Sequence, residues 1–186
     1  MALHYGNRNG KKIEWIVCHY PVMPGCDAKR CLKYYQDTNE KKSAHYAISV
    51  NQTVSIVPCK FAAWHCCVKD IKTYCDANNW NSIGIDLMDN KISKKTLSVN
   101  DKDWYIPEAT LERAAYLISY LMKRYNIPID HVIRHYDVTH KCCPRPLVGD
   151  DINEYYSISG NQKWEQFKQR IMEISNKERV CTSSNQ

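Results

Sequence analysis

Long hydrophobic runs are missing from this 186-residue chain. A membrane-crossing helix needs roughly 20 consecutive apolar residues, and no stretch approaches that, so a helical membrane protein is excluded. The N-terminus, Met1-Ala2-Leu3-His4-Tyr5-Gly6-Asn7-Arg8, also lacks the apolar centre of a secretory leader. The expectation is a soluble chain made in the cytoplasm. Ten cysteines are present without a single C-x-x-C pair, which disfavours a zinc-finger type of structural site. In the absence of a leader the thiols read as mostly reduced, several of them buried as small hydrophobes; Cys26 and Cys31, five apart at the start of a helix, are placed to approach each other, and the sequence leaves open whether any pair closes. Charge excess is small. The formal net charge is +6 and the lysines are scattered, so a nucleic-acid footprint is poorly supported, while a mild positive field suits an anionic envelope. No repeats or low-complexity blocks appear. Length and composition fit one domain, expected over residues 1–175 and as a monomer, followed by a polar tail, 176–186, expected to fray.

What is present begins with alternation of strand-like and helix-like segments. Trp15 to His19 is a short apolar run closed by Pro21 and Pro24, the pattern of a buried strand. Asp27 suits the N-cap of a helix reaching Gln36, with Cys31, Leu32 and Tyr35 on one side. His45–Val50 and Thr53–Pro58 flank Asn51-Gln52 as a hairpin. Residues 66–81 and 89–105 read as two loops, the first over a groove and the second exposed, separated by a strand from Ile83 to Met88. The clearest helix runs from about Pro107 to Tyr125, where Leu111, Ala114, Ala115, Ile118, Leu121 and Met122 repeat at helical spacing. A strand at Val132–His135 and a last helix at about Gln162–Ser175 complete the chain. Such alternation predicts an α/β fold, a single mixed β-sheet flanked by helices.

The chemistry concentrates in Arg134-His135-Tyr136-Asp137-Val138-Thr139-His140-Lys141-Cys142-Cys143-Pro144. An imidazole and a thiolate are favoured zinc ligands, and an ammonium beside them suits a developing oxyanion. Residues two apart in an extended segment share a face, so Lys141 and Cys143 can address one centre, joined by His135 if 137–140 turn. His19, delivered by a buried strand to a sheet edge, is the candidate for a third ligand. Any one of the seven histidines is by itself more readily a surface or core residue; the combination is what carries weight.

Five segments in order resemble the type 2 N-acetylmuramoyl-L-alanine amidases, the superfamily of zinc amidases, phage endolysins and peptidoglycan-recognition proteins. They are W-I-V-C-H-Y at 15–20, S-A-H-Y-A-I at 43–48, A-W-H at 63–65, S-I-G-I-D-L at 82–87 and R-H-Y-D-V-T-x-K-x-C-P at 134–144. The resemblance implies Zn2+ held by His19, His135 and Cys143, with vicinal Cys142 a rival for the thiol position. It implies Lys141 as the oxyanion-stabilising group and Asp86 as general base, where many bacterial members carry the longer Glu. A second branch places a tyrosine before the H-Y pair; that position is Ala44. Asp86 has a plainer reading as a strand-end carboxylate capping a turn. Trp64 and His65 fall where the family lines its substrate groove, and Arg134 pairs either with a substrate carboxylate or with a neighbouring acid. The implied partner is peptidoglycan, reached from the cytoplasm through a pore, and the alternative is a non-catalytic peptidoglycan-binding module on the same fold.

Overall fold

The computed structural model describes residues 1–66, 72–93 and 95–183, with side chains to 177. In chain order the elements are β1 (Tyr5–Asn7), β2 (Trp15–His19), α1 (Ala28–Asp37), β3 (Tyr46–Ile48), β4 (Thr53–Ser55), β5 (Phe61–Ala63), β6 (Ser82–Leu87), β7 (Asn90–Lys91), β8 (Trp104–Tyr105), α2 (Glu108–Tyr125), β9 (Val132–Arg134), α3 (His135–Thr139) and α4 (Gly160–Ser183). Five strands form one mixed sheet in the order β4-β3-β6-β2-β9, antiparallel between β3 and β4 and parallel elsewhere. The α/β architecture read from the alternation is therefore the one observed.

Strand periodicity divides the work of this sheet. Successive side chains of a strand point to opposite faces. In β6, Ile83, Ile85 and Leu87 join Ile16, Cys18, Ile48 and Val132 beneath α2 and α4, where Ile118, Leu121, Trp164, Phe167 and Ile171 meet them. Each fully buried Ile or Leu there contributes about 1.5–3 kcal/mol. The alternate residues of β6 are Ser82, Gly84 and Asp86, small or polar, and they turn to the other face, which carries α1 and the site. Register completes the arrangement. His19 lies opposite Asp86, and Cys18 lies opposite Arg134, so His19, Asp86 and His135 emerge together at the carboxyl ends of parallel strands. Crevices of this kind are where open α/β sheets place their chemistry.

Local signals hold at several element ends. The Asp27 carboxylate accepts the Arg30 N–H at 2.8 Å, capping α1 as expected. Ser159 and Gln162 exchange side-chain and backbone hydrogen bonds at the start of α4. The hairpin around Asn51-Gln52 is β3–β4.

Three expectations need correction. Residues 89–105 are not merely an exposed loop: β7 and β8 pair antiparallel, Trp104 is fully buried, and the Lys91 ammonium sits between Asp101 and Asp103. The last helix, expected to end near Ser175, runs on to Ser183. Lys141 and Cys143 do not lie on an extended strand; the Cys143 N–H bonds back to the Lys141 carbonyl at 2.7 Å, a tight turn. Of the loop at 66–81, residues 67–71 lie outside the described residues. Its later part folds against α3, with Tyr74 N–H on the Val138 carbonyl at 2.9 Å.

Candidate metal centre

A cleft of about 610 Å³ opens at the carboxyl ends of β2, β6 and β9, and its walls include His19, His65, Asp86, His135, Lys141 and Cys143. Three elements deliver its donors. β2 ends in His19, which is buried. β9 ends at Arg134, and the chain turns at once into the single-turn helix α3, whose first residue is His135. The corner is held by Arg134: its guanidinium pairs with Asp137 at 2.8 Å and donates to the Leu147 carbonyl at 2.7 Å and to Asn161 at 2.8 Å. Of the two readings of Arg134, the neighbouring acid is the one the structure bears out. Helix α3 ends where His140 adopts a left-handed φ of 58°. The chain then folds back, with Tyr136 N–H on the Cys143 carbonyl at 2.9 Å, placing the thiol beside the imidazoles.

One ligand atom from each of His19, His135 and Cys143 lies within 4.8 Å of the others. The Cys143 sulfur is 3.9 Å from His19 Nδ1, and the rings of His19 and His135 are 4.8 Å apart at 65°. Among the described residues this is the one group of three or more His, Cys, Asp or Glu with such spacing. Two imidazoles and a thiol at this separation fit a tetrahedral zinc ion with a fourth position left over. Electrostatics agree with the fit. Burial, then the charge of Lys141, lowers His135 to about 4, and burial holds His19 well below the usual imidazole range, so both rings are neutral. Burial pushes the Cys143 thiol up to about 12. A thiolate in this position calls for a compensating cation.

Asp86 occupies the same cleft and is buried. Its Oδ2 accepts the Tyr35 hydroxyl at 2.8 Å and the Cys31 thiol at 3.5 Å. Burial raises the carboxyl to about 6, against the pull of those two hydrogen bonds. The Cys31 side chain is thus free of any bridge to Cys26.

The family model described as N-acetylmuramoyl-L-alanine amidase matches residues 9–146, the segment that contains every one of these groups. The chain belongs to that family. It is 31% identical over 146 residues to the N-acetylmuramoyl-L-alanine amidase CwlL of Bacillus licheniformis, covering 74% of this chain and 38% of that protein. It is 29% identical over 171 residues to the amidase BlyA of Bacillus subtilis (strain 168), covering 88% and 43%. The chain therefore spans about two fifths of the length of the curated relatives it matches. Among solved structures, that of PlyL superposes with a TM-score of 0.65 at 21% identity, covering 91% of this chain and 87% of that one. A mutant endolysin from Bacillus subtilis superposes at 0.63 and 22%, covering 91% and 90%. These likenesses bear out the type 2 amidase fold.

Against that family pattern, two expected groove residues take unequal places. Trp64 is half-buried, stacks on His4 with ring centroids 5.8 Å apart, and faces the cleft. His65 also lines the cleft, but both its nitrogens are engaged inward, by His19 at 3.0 Å and Ser82 at 3.1 Å. Both imidazole nitrogens thus have partners within the protein, while the ring itself remains on the cleft wall beside Trp64. Cys142, the rival for the thiol position, is half-buried beside the cluster and is not one of its members. Sequence reasoning missed Tyr35 and Ser82. Tyr35 sits on the apolar stripe of α1 one turn after Cys31, a spacing that announces core packing and hides its hydroxyl's bond to Asp86.

Proposed function

We propose that this chain is the catalytic domain of a zinc-dependent N-acetylmuramoyl-L-alanine amidase, cleaving the amide between the lactyl group of N-acetylmuramic acid and L-alanine in peptidoglycan. The observation that carries this reading is the meeting of His19 Nδ1, His135 and the Cys143 sulfur in a cleft that also holds Lys141 and Asp86. Zinc at this site would supply Lewis-acid activation of a water and of the amide carbonyl. Asp86 takes a proton from the attacking water and returns it to the leaving amine, a role open to it above its raised pKa of about 6. The Lys141 ammonium steadies the negative charge that develops on the carbonyl oxygen. Trp64 contributes a flat apolar surface at the cleft for a sugar or peptide. No described helix is long and apolar enough to cross a membrane, which fits a protein that meets the wall as a separate molecule; passage through a pore is our reading of how it gets there.

The test is cleavage of purified cell walls with mass spectrometry of the fragments. Wild type releases stem peptides and leaves lactyl ends, chelator abolishes release, zinc restores it, and Cys143→Ala removes both bound zinc and cleavage. Full activity in Cys143→Ala, or indifference to chelator, contradicts the proposal. Wall binding without cleavage by the zinc-loaded chain is the outcome that would favour the binding-module alternative; the retained thiol argues against it.

A further inference from the structure

Gly84 lies in the middle of β6 under an imidazole. A Cβ at this position would come within 2.5 Å of His65 Cγ and 2.7 Å of its Nδ1. The ring of His65 therefore packs directly on strand backbone, in a slot that any side chain at 84 would fill. What the slot achieves is a fixed direction for both ring nitrogens. His65 Nε2 faces the Ser82 hydroxyl at 3.1 Å, and His65 Nδ1 faces His19 Nε2 at 3.0 Å.

Proton counting then settles who donates. The Ser82 hydroxyl has one proton, and it donates that proton to the Asn78 carbonyl. Towards His65 the Ser82 oxygen can only accept, so His65 carries its proton on Nε2. A neutral imidazole protonated there has a bare Nδ1. That bare nitrogen accepts from His19, so His19 is also protonated on Nε2, and its own lone pair lies on Nδ1. This is the atom 3.9 Å from the Cys143 sulfur.

We infer that His65 is a positioning residue of the metal centre: anchored by Ser82 and seated on Gly84, it holds His19 in the one tautomer and orientation that presents Nδ1 to a cation. The inference rests on the proposal that His19 is a zinc ligand, and goes beyond it in assigning a task to three residues outside the ligand set. His45 supplies an internal contrast. It is buried next to His65, with ring centroids 5.7 Å apart, yet its Nδ1 accepts the Gly84 N–H at 2.9 Å and its Nε2 donates to the Phe61 carbonyl at 3.1 Å. Its Nε2 also lies 2.9 Å from the Arg8 guanidinium, and among the described residues no hydrogen bond leads from it to the ligand cluster. Two buried imidazoles thus share one strand residue, one tying strands together and the other reaching the cluster.

The tautomer is read by nitrogen-15 NMR of the histidine rings in metal-free protein at neutral pH, and zinc affinity by competition with a chromophoric chelator. In wild type the His19 signals should show Nε2 protonated and Nδ1 bare. His65→Phe keeps the ring's bulk and deletes both nitrogens; it should blur His19 into a tautomer mixture and weaken zinc about 10–100-fold, the usual effect of losing such outer partners. His65→Gln, whose carbonyl can accept from His19 and whose amide can donate to Ser82, should recover part of the loss. Ser82→Ala leaves the imidazole in place without its anchor, and should weaken zinc in the same direction by a smaller factor, keeping the question open to measurement if the Phe variant folds poorly. His19 protonated on Nδ1 in wild type overturns the inference, as does wild-type zinc affinity in folded His65→Phe and Ser82→Ala. Failure of wild type itself to bind zinc would instead overturn the metal-site proposal, leaving the NMR result to judge the relay by itself.

Discussion

Two lysines show what separates structure from chemistry in this molecule. Lys91 is 4% exposed, and its ammonium lies 2.9 Å from Asp101 and 2.5 Å from Asp103 while donating to the Ser93 carbonyl at 2.9 Å. Trp104 closes over it at 5.7 Å. Lys141 stands on the wall of the cleft, exposed, and among the described residues no ion pair or side-chain hydrogen bond engages its ammonium. Its field falls instead on the imidazoles of His135 and His19. One positive charge is neutralised in place and holds a hairpin together. The other has no such partner and lines the cleft, where the proposed mechanism puts the reacting carbonyl.

The sharpest way to break this contrast is to remove each charge in turn. Lys91→Met leaves Asp103, itself 6% exposed, with no cation, and breaking one side of a buried pair costs about 3 kcal/mol or more. Urea unfolding should show that loss, with wall cleavage per folded molecule unchanged. A loss under roughly 0.5 kcal/mol would mean that the pair behaves like an exposed one. Lys141→Ala should do the opposite. Turnover should fall about a hundredfold or more, some 2.7 kcal/mol of barrier, while the unfolding midpoint stays where it was. Equal damage to stability in the two variants would erase the distinction.

How much of this could be read from residues alone follows the same division. Of the three candidate donors, His19 and His135 were legible because each lies at or just beyond the end of a short apolar strand, and Cys143 because it closes a motif whose order and spacing are specific. The helices α1 and α2 announced themselves by apolar period and cap. The β7–β8 hairpin did not, because Lys91 finds its carboxylates ten and twelve residues away, with no apolar alternation to mark the strands between. The continuation of α4 beyond Ser175 was hidden for a related reason, since Asn176 and Lys177 are exposed and give the helix no buried position there. The orientation of His65 was illegible in a different way. It depends on a vacancy at Gly84, and S-I-G-I-D reads as a strand whether or not an imidazole rests on its glycine.

A smaller effect sharpens the comparison among carboxylates. Asp86 opens on the cleft with Tyr35 and Cys31 bonded to it, whereas Asp89, three residues on, is 2% exposed, accepts the Met23 N–H at 3.1 Å through Oδ1, and has no partner for Oδ2 among the described residues. Burial raises Asp89 to about 7, and the nearby Asp86 adds to the shift. An unfolded aspartate titrates near 3.9, so between about 4 and 7 the folded chain keeps a proton that the unfolded chain has lost. Stability from this group is therefore fully present below that window and drains away as pH rises through it. Asp89→Asn has no proton to lose. Unfolding free energies of the two proteins, measured at pH 5 and pH 8, should diverge by about 2.5 kcal/mol in favour of the asparagine at the higher pH, because about two pH units of that window lie above pH 5, each worth about 1.4 kcal/mol. Parallel stabilities at the two pH values would show that Asp89 is ionised throughout, and that its unpaired oxygen reaches water or a cation that stabilises the charge.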